Sequence, residues 1–276
     1  MKILAFDLDG TCLHNHFEIS PRNRQALRAA AERGVILLPA TGRNFQSAPE
    51  CILEMPEIRY VMTANGASIY DKEKKEVVYR DRIPNEKARL AQKILDRYHI
   101  YTEYYIDGYA YALKEAFMDR FAGFEAPKEL VEKFLKQVRF VADFQELLSD
   151  PEICPEKVNM VPVPEEIYAQ LKEELENLGG LAVTSSFPRN MEYNAKTATK
   201  GNTLRVFAEN LGVSAGEVMA LGDGGNDAGM LRYAGYSFAM QNGTDEVKAA
   251  AKYIADDCEA DGLGKAVEQY ILNPSN

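Results

Sequence analysis

The chain has no basic stretch. Lys and Arg number 32 against 42 Asp and Glu, a formal net charge of -10, and the cations do not gather into one block. That excludes the electrostatic footprint of a nucleic-acid binder. It leaves room for a small anion, provided a metal ion or a few well-placed cations sit in the site. Cysteine is scarce as well. Cys12, Cys51, Cys154 and Cys258 stand far apart, with neither C-x-x-C nor metal-ligand spacing. Reduced thiols in a cytoplasmic protein are therefore expected. No apolar run approaches the ~20 residues of a membrane helix, so no membrane partner is expected. The first aspartate comes at position 7, and no apolar segment with a small-residue cleavage site opens the chain, so no secretory leader is expected either.

What is present suits a globular protein. The 276 residues are 46% hydrophobic and 27% charged, enough for a sizeable core in one large domain or two ordinary ones. Short apolar strands are predicted at residues 2–8, 35–39, 60–64, 218–221 and 236–240. Helices are predicted between them, among them 22–33, behind Ser20-Pro21, and 200–210. Strands alternating with helices imply a doubly wound, mostly parallel, Rossmann-like sheet covered on both faces, an α/β class.

The middle of the chain has another rhythm. Residues 101–106 and 109–114 alternate as a hairpin across Asp107-Gly108. Helices are predicted at 84–99, 127–137 and 164–178, and strands at 157–163, 181–186 and 191–194. An α+β unit, residues 84–190, is thus expected to interrupt a core made of 1–83 plus 191–276.

Polar residues follow the apolar runs at several strand ends, where open α/β sheets bind ligands. Asp7 and Asp9 are two apart, so in extended chain they project to one side. Gly10 lets the backbone turn, and Thr11 adds a hydroxyl. Thr41 and Gly42 offer a hydroxyl and an amide to phosphate oxygens. Lys200 brings a positive charge to a helix start, where anions are favoured. Asp223 and Asp227, with Asn226 beside them, add two more carboxylates. Converging carboxylates need a cation, and a hard ion such as Mg²⁺, shared with a phosphoryl group, meets that need.

The motifs DLDGT, ATGR, TKGNTL and GDGGND, in this order over almost the whole chain, resemble those of the haloacid dehalogenase-like phosphohydrolases. Their spacing is most similar to the Cof-type branch, which carries a large α/β cap inserted after the third core strand. The resemblance implies that Asp7 is the nucleophile, forming an aspartyl phosphate. It implies that Asp9 is the general acid and base. Thr41, Gly42 and Lys200 would hold the phosphoryl group, with Thr11 and Asn226 assisting. Asp7, the backbone carbonyl of Asp9, and Asp223 would ligate Mg²⁺, and Asp227 would orient a metal-bound water or Lys200. Arg43 is assigned no catalytic role. Cys12 stands where the family more often has an aliphatic residue, and Ala228-Gly229 precede Met230 in the last motif; neither position is catalytic in the family.

The expected substrate is a small-molecule phosphate ester, a sugar phosphate or a phosphorylated cofactor. A phosphomutase or phosphotransferase would use the same nucleophile. A phospho-accepting signalling receiver also places a reactive Asp on a doubly wound sheet, but has no use for the inserted unit. His14 and His16 form H-x-H without an identifiable third metal ligand, and are read as part of a flap. The tyrosine-dense segment 98–111 is read as a hairpin in preference to a stacking surface. Phe187, Pro188 and Arg189 are a rival substrate-facing loop.

Overall fold

Five consecutive buried residues, Ile3–Asp7, make the central strand of the first sheet. In the computed structural model, which describes residues 1–121, 135–186 and 188–274, the chain falls into two compact units. One comprises Met1–Arg43, Ala48–Tyr79 and Thr199–Asn276; the other comprises Asn44–Ser47 and Arg80–Ala198.

The sheet of the first unit has, among the described residues, eight strands in the order Tyr253–Ala255, Tyr236–Met240, Val218–Gly222, Ile3–Asp7, Ile36–Ala40, Tyr60–Thr63, Ser68–Asp71, Glu76–Arg80. The first six run parallel. Ile3–Asp7 and Val218–Gly222 are buried throughout, which is why they read as unbroken apolar runs. The fold is the doubly wound α/β core that the pattern predicts. The strand Ser68–Asp71 is an addition: it returns antiparallel to Tyr60–Thr63 through a turn at Ala64–Gly66. Its polar ends, Ser68 and Asp71, are both buried, and that polarity hides it from a hydrophobicity pattern.

Helix Pro21–Glu32 starts where Ser20 accepts a hydrogen bond from the Asn23 amide at 3.0 Å. Helix Lys200–Asn210 starts likewise, with the Thr199 hydroxyl accepting from the Asn202 amide at 3.1 Å. Parallel register brings the strand ends together. Asp7 lies opposite Ala40, so Thr41 follows at the same edge, and Gly222 ends the strand on the other side just before Asp223.

The second unit has, among the described residues, a six-stranded mixed sheet in the order Val138–Val141, Tyr109–Leu113, Thr102–Ile106, Lys157–Met160, Met191–Ala195, Leu181–Thr184. One face is apolar: Tyr104, Val158 and Tyr193 are fully buried, and the Tyr104 ring lies 4.7 Å from that of Phe144. The other is polar, with Asn159 donating to Glu103 at 3.2 Å and Lys157 paired with Glu192 at 3.0 Å. The tyrosines serve the hairpin. Tyr104 is core, and Tyr109 and Tyr111 hold Arg139 by stacking and by a 2.8 Å hydrogen bond.

The pattern places the return to the core at residue 191. The strand Met191–Ala195 instead pairs with Lys157–Met160 and Leu181–Thr184, and the second unit runs on to Ala198. Its mixed sequence, with Tyr193 on the apolar face and Glu192 on the other, suits a two-faced sheet. Residues 127–134 of the predicted 127–137 helix, and Phe187 of the 187–189 loop, lie outside the described residues. Among the described residues no helix is long and apolar enough to cross a membrane, and all four cysteines are free.

Candidate active site

Lys200 is the centre of the arrangement. It is the first residue of its helix and is 1% exposed. Its Nζ donates to Asp7 Oδ1 and, at 2.6 Å, to Asp227 Oδ1. A close helix contact makes this possible. A Cβ on Gly201 would lie 2.4 Å from the Gly229 carbonyl carbon, so helices Lys200–Asn210 and Ala228–Tyr233 meet backbone to backbone. Any side chain at 201 would move Lys200 away from Asp227.

Asp227 is fully buried, and its second oxygen accepts from the amides of Asp223 and Gly224, each at 3.0 Å. These bonds shape the loop that presents Asp223. Asp223 Oδ1 in turn accepts from the Thr11 hydroxyl at 2.9 Å. Gly10, at φ +81°, lies so close that a Cβ there would stand 2.4 Å from Asp223 Oδ2. Only glycine satisfies both demands.

Asp7, Asp223 and Asp227 each offer an oxygen, and these oxygens lie within 4.8 Å of one another. One ammonium does not balance three carboxylates. Burial pushes the Asp7 carboxyl well above its ordinary value; Lys200 opposes that, while Asp227 and Asp223 add to it. Burial and then Asp227 push Asp223 up to about 6. Burial works against the charge of Lys200, but Asp227 and Asp7 outweigh it and hold the ammonium above its ordinary value. The site thus lacks positive charge. Its all-oxygen donor set fits a hard divalent cation such as Mg²⁺.

The Asp9 carboxylate lies apart from this cluster. Arg43 forks onto it, Nε to Oδ2 at 3.0 Å and Nη2 to Oδ1 at 2.5 Å, and His16 Nδ1 is 3.3 Å from Oδ1. His16 belongs to the turn of a short hairpin, Leu13–His14 with Glu18–Ile19. Thr41 is buried, and its hydroxyl accepts from the Arg43 amide at 3.1 Å. Gly42 lies between them in the turn after strand Ile36–Ala40.

Two expected phosphate ligands are engaged elsewhere. The Thr11 hydroxyl is fully buried and given to Asp223. Asn226 donates to Asn65 Oδ1 at 3.2 Å. Asn65, two residues beyond strand Tyr60–Thr63, joins this edge, and none of the four motifs contains it. Arg43 was visible in ATGR; its partner was not.

The chain matches the model of a protein family described as haloacid dehalogenase-like hydrolase over residues 4–267. It is 28% identical to a Bacillus subtilis (strain 168) protein named 5-amino-6-(5-phospho-D-ribitylamino)uracil phosphatase, covering 99% of this chain and 96% of that one. It is 26% identical to the pyridoxal phosphate phosphatase of Escherichia coli (strain K12), covering 98% and 99%. Among solved structures, a haloacid dehalogenase-like hydrolase from Bacteroides thetaiotaomicron superposes with a TM-score of 0.79 at 31% identity, covering 97% of this chain and 98% of the other.

Proposed function

Because the chain belongs to the haloacid dehalogenase-like hydrolases, we propose that it is a phosphatase of small phosphorylated metabolites, working through an aspartyl phosphate on Asp7. The observation that carries this reading is Lys200 held between Asp7 and Asp227 with Asp223 alongside: a nucleophile, a cation and spare carboxylates at one sheet edge. The relatives named for a ribityl phosphate and for pyridoxal phosphate support sugar-type phosphates and phosphorylated cofactors as the substrate class.

Asp7, Asp223 and the backbone carbonyl of Asp9 would hold Mg²⁺, which when bound offsets the negative charge of the phosphoryl oxygens. Asp7 attacks phosphorus through a carboxylate oxygen, and the phosphorus–oxygen bond to the leaving alcohol breaks. Asp9 gives that alcohol its proton, then takes one from the water that attacks the aspartyl phosphate. For this the Asp9 carboxyl must part from Arg43, whose fork onto both oxygens otherwise occupies it. Lys200 favours the ionised form of Asp7 and counters charge on the phosphoryl group, aided by Thr41 and Gly42. Asp227 holds Lys200 in place.

The test is phosphate release from a panel of sugar phosphates, nucleotides, pyridoxal phosphate and flavin mononucleotide, with Mg²⁺ and with chelator. Mg²⁺-dependent release is expected for at least one sugar phosphate or phosphorylated cofactor. Isomer formation without release would assign a mutase instead. A phospho-Asp7 that persists for minutes without turnover would assign a receiver.

A further inference from the structure

We propose that Asn242 is a positioning residue for the metal-binding edge. Its carboxamide holds the Gly10 turn, and through it the spacing of the Asp7 and Asp223 carboxylates. The inference rests on the phosphatase reading for the identity of the ion; its geometry stands on the contacts below.

Asn242 lies two residues beyond strand Tyr236–Met240. Its Nδ2 donates to the Gly10 carbonyl at 2.8 Å, and its Oδ1 accepts from the Cys258 amide at 3.0 Å. The two residues that follow hold Asp223. The Thr244 amide donates to the Asp223 carbonyl at 3.0 Å, and a Cβ on Gly243 would stand 3.1 Å from the Asp223 Cα. One short turn, 242–244, therefore holds the backbones of both segments that carry the acidic cluster. Those segments also touch each other: Gly10 abuts the Asp223 carboxylate, and Thr11 donates to it.

The chemistry of the residue suits the task. Asp7 and Asp223 carry like charge and repel, so their separation must be imposed by the backbone. A carboxamide can donate to a carbonyl and accept from an amide at once, without adding charge. Aspartate in its place would keep the acceptor toward Cys258 and lose the donor toward Gly10. Its added charge alone would tighten a cation site; loss of the Gly10 bond would loosen it. The two effects have opposite signs, and that separates positioning from simple electrostatics.

The experiment is calorimetric titration of Mg²⁺ into the full chain as wild type, N242A and N242D, with thermal unfolding of each and steady-state kinetics on the best substrate. N242A should bind Mg²⁺ about five- to tenfold more weakly, the scale of one hydrogen bond, and N242D more weakly than wild type by a smaller factor, its added charge offsetting part of the loss. The kcat should return at saturating Mg²⁺, with unfolding midpoints close to wild type. Wild-type affinity in N242A, or affinity equal to or tighter than wild type in N242D, overturns the inference while leaving the phosphatase reading in place. Should N242A fail to fold, N242D, which keeps the Cys258 bond, decides alone. A wild-type protein that binds no Mg²⁺ overturns this inference and the Mg²⁺-dependent reading together.

Discussion

Lys200 and Asp7 show how burial turns charge into function. Lys200 is enclosed with two carboxylates, and removing it would strand both. Lys200→Met should abolish phosphate release and cost about 3–5 kcal/mol in urea unfolding, the scale for breaking a buried ion pair. Asp7 behaves oppositely. Burial raises its pKa in the folded state, so above the ordinary carboxylate value its ionised form opposes folding. Asp7→Asn should therefore remove turnover, yet unfold in chelator at or above the wild-type temperature. Near-normal activity in that variant would sink the mechanism. These residues were legible in the sequence because Asp7 ends an apolar run and Lys200 stands at a helix start, each within a short motif. Asn242 was not legible: it lies 232 residues from Gly10, and nothing near it in sequence refers to that partner.

Elements bring the residues together through close backbone approach and ion pairing at strand ends. At Gly201, Ala would press its Cβ against Gly229. Gly201→Ala should cost about 1–3 kcal/mol by overpacking and lower activity, because the helix carrying Lys200 must shift; unaltered stability and rate would contradict the contact. At the end of strand Ser68–Asp71, Arg59 forks onto Asp71, with Nη2 2.7 Å from Oδ2. The Arg59 hydrogen bond holds the Asp71 carboxyl below its ordinary value, against a smaller opposing effect of burial. A lowered folded pKa adds stability above the unfolded value of about 3.9, and that stability is lost as pH falls through the folded value. Asp71→Asn should thus lower the urea midpoint at pH 7, and the gap should close below about pH 4. Helix starts were readable from caps such as Ser20, while the strand Ser68–Asp71 was not, because it buries polar residues at both ends.

For the whole molecule, a site short of positive charge couples cation binding to folding. Mg²⁺ should raise the unfolding temperature of the full chain, by the equivalent of about 2.7 kcal/mol at a hundred times its Kd. Asp223→Asn should abolish most of that rise, and a variant still stabilised to the full extent would remove Asp223 from the ligand set. What the sequence by itself determined is the alternation of apolar strands and capped helices, and the polar residues just beyond the strand ends. Those are short-range patterns, and a parallel doubly wound sheet converts them into one shared edge. What only the tertiary structure decided is how the residues at that edge pair. Arg43 takes Asp9, Thr11 turns to Asp223, Asn226 meets Asn65, and Met191–Ala195 joins the second sheet. The physical reason is that a buried polar group takes whichever partner packing brings within reach, and that neighbour is set by crossovers and strand order, which no local stretch of chain encodes.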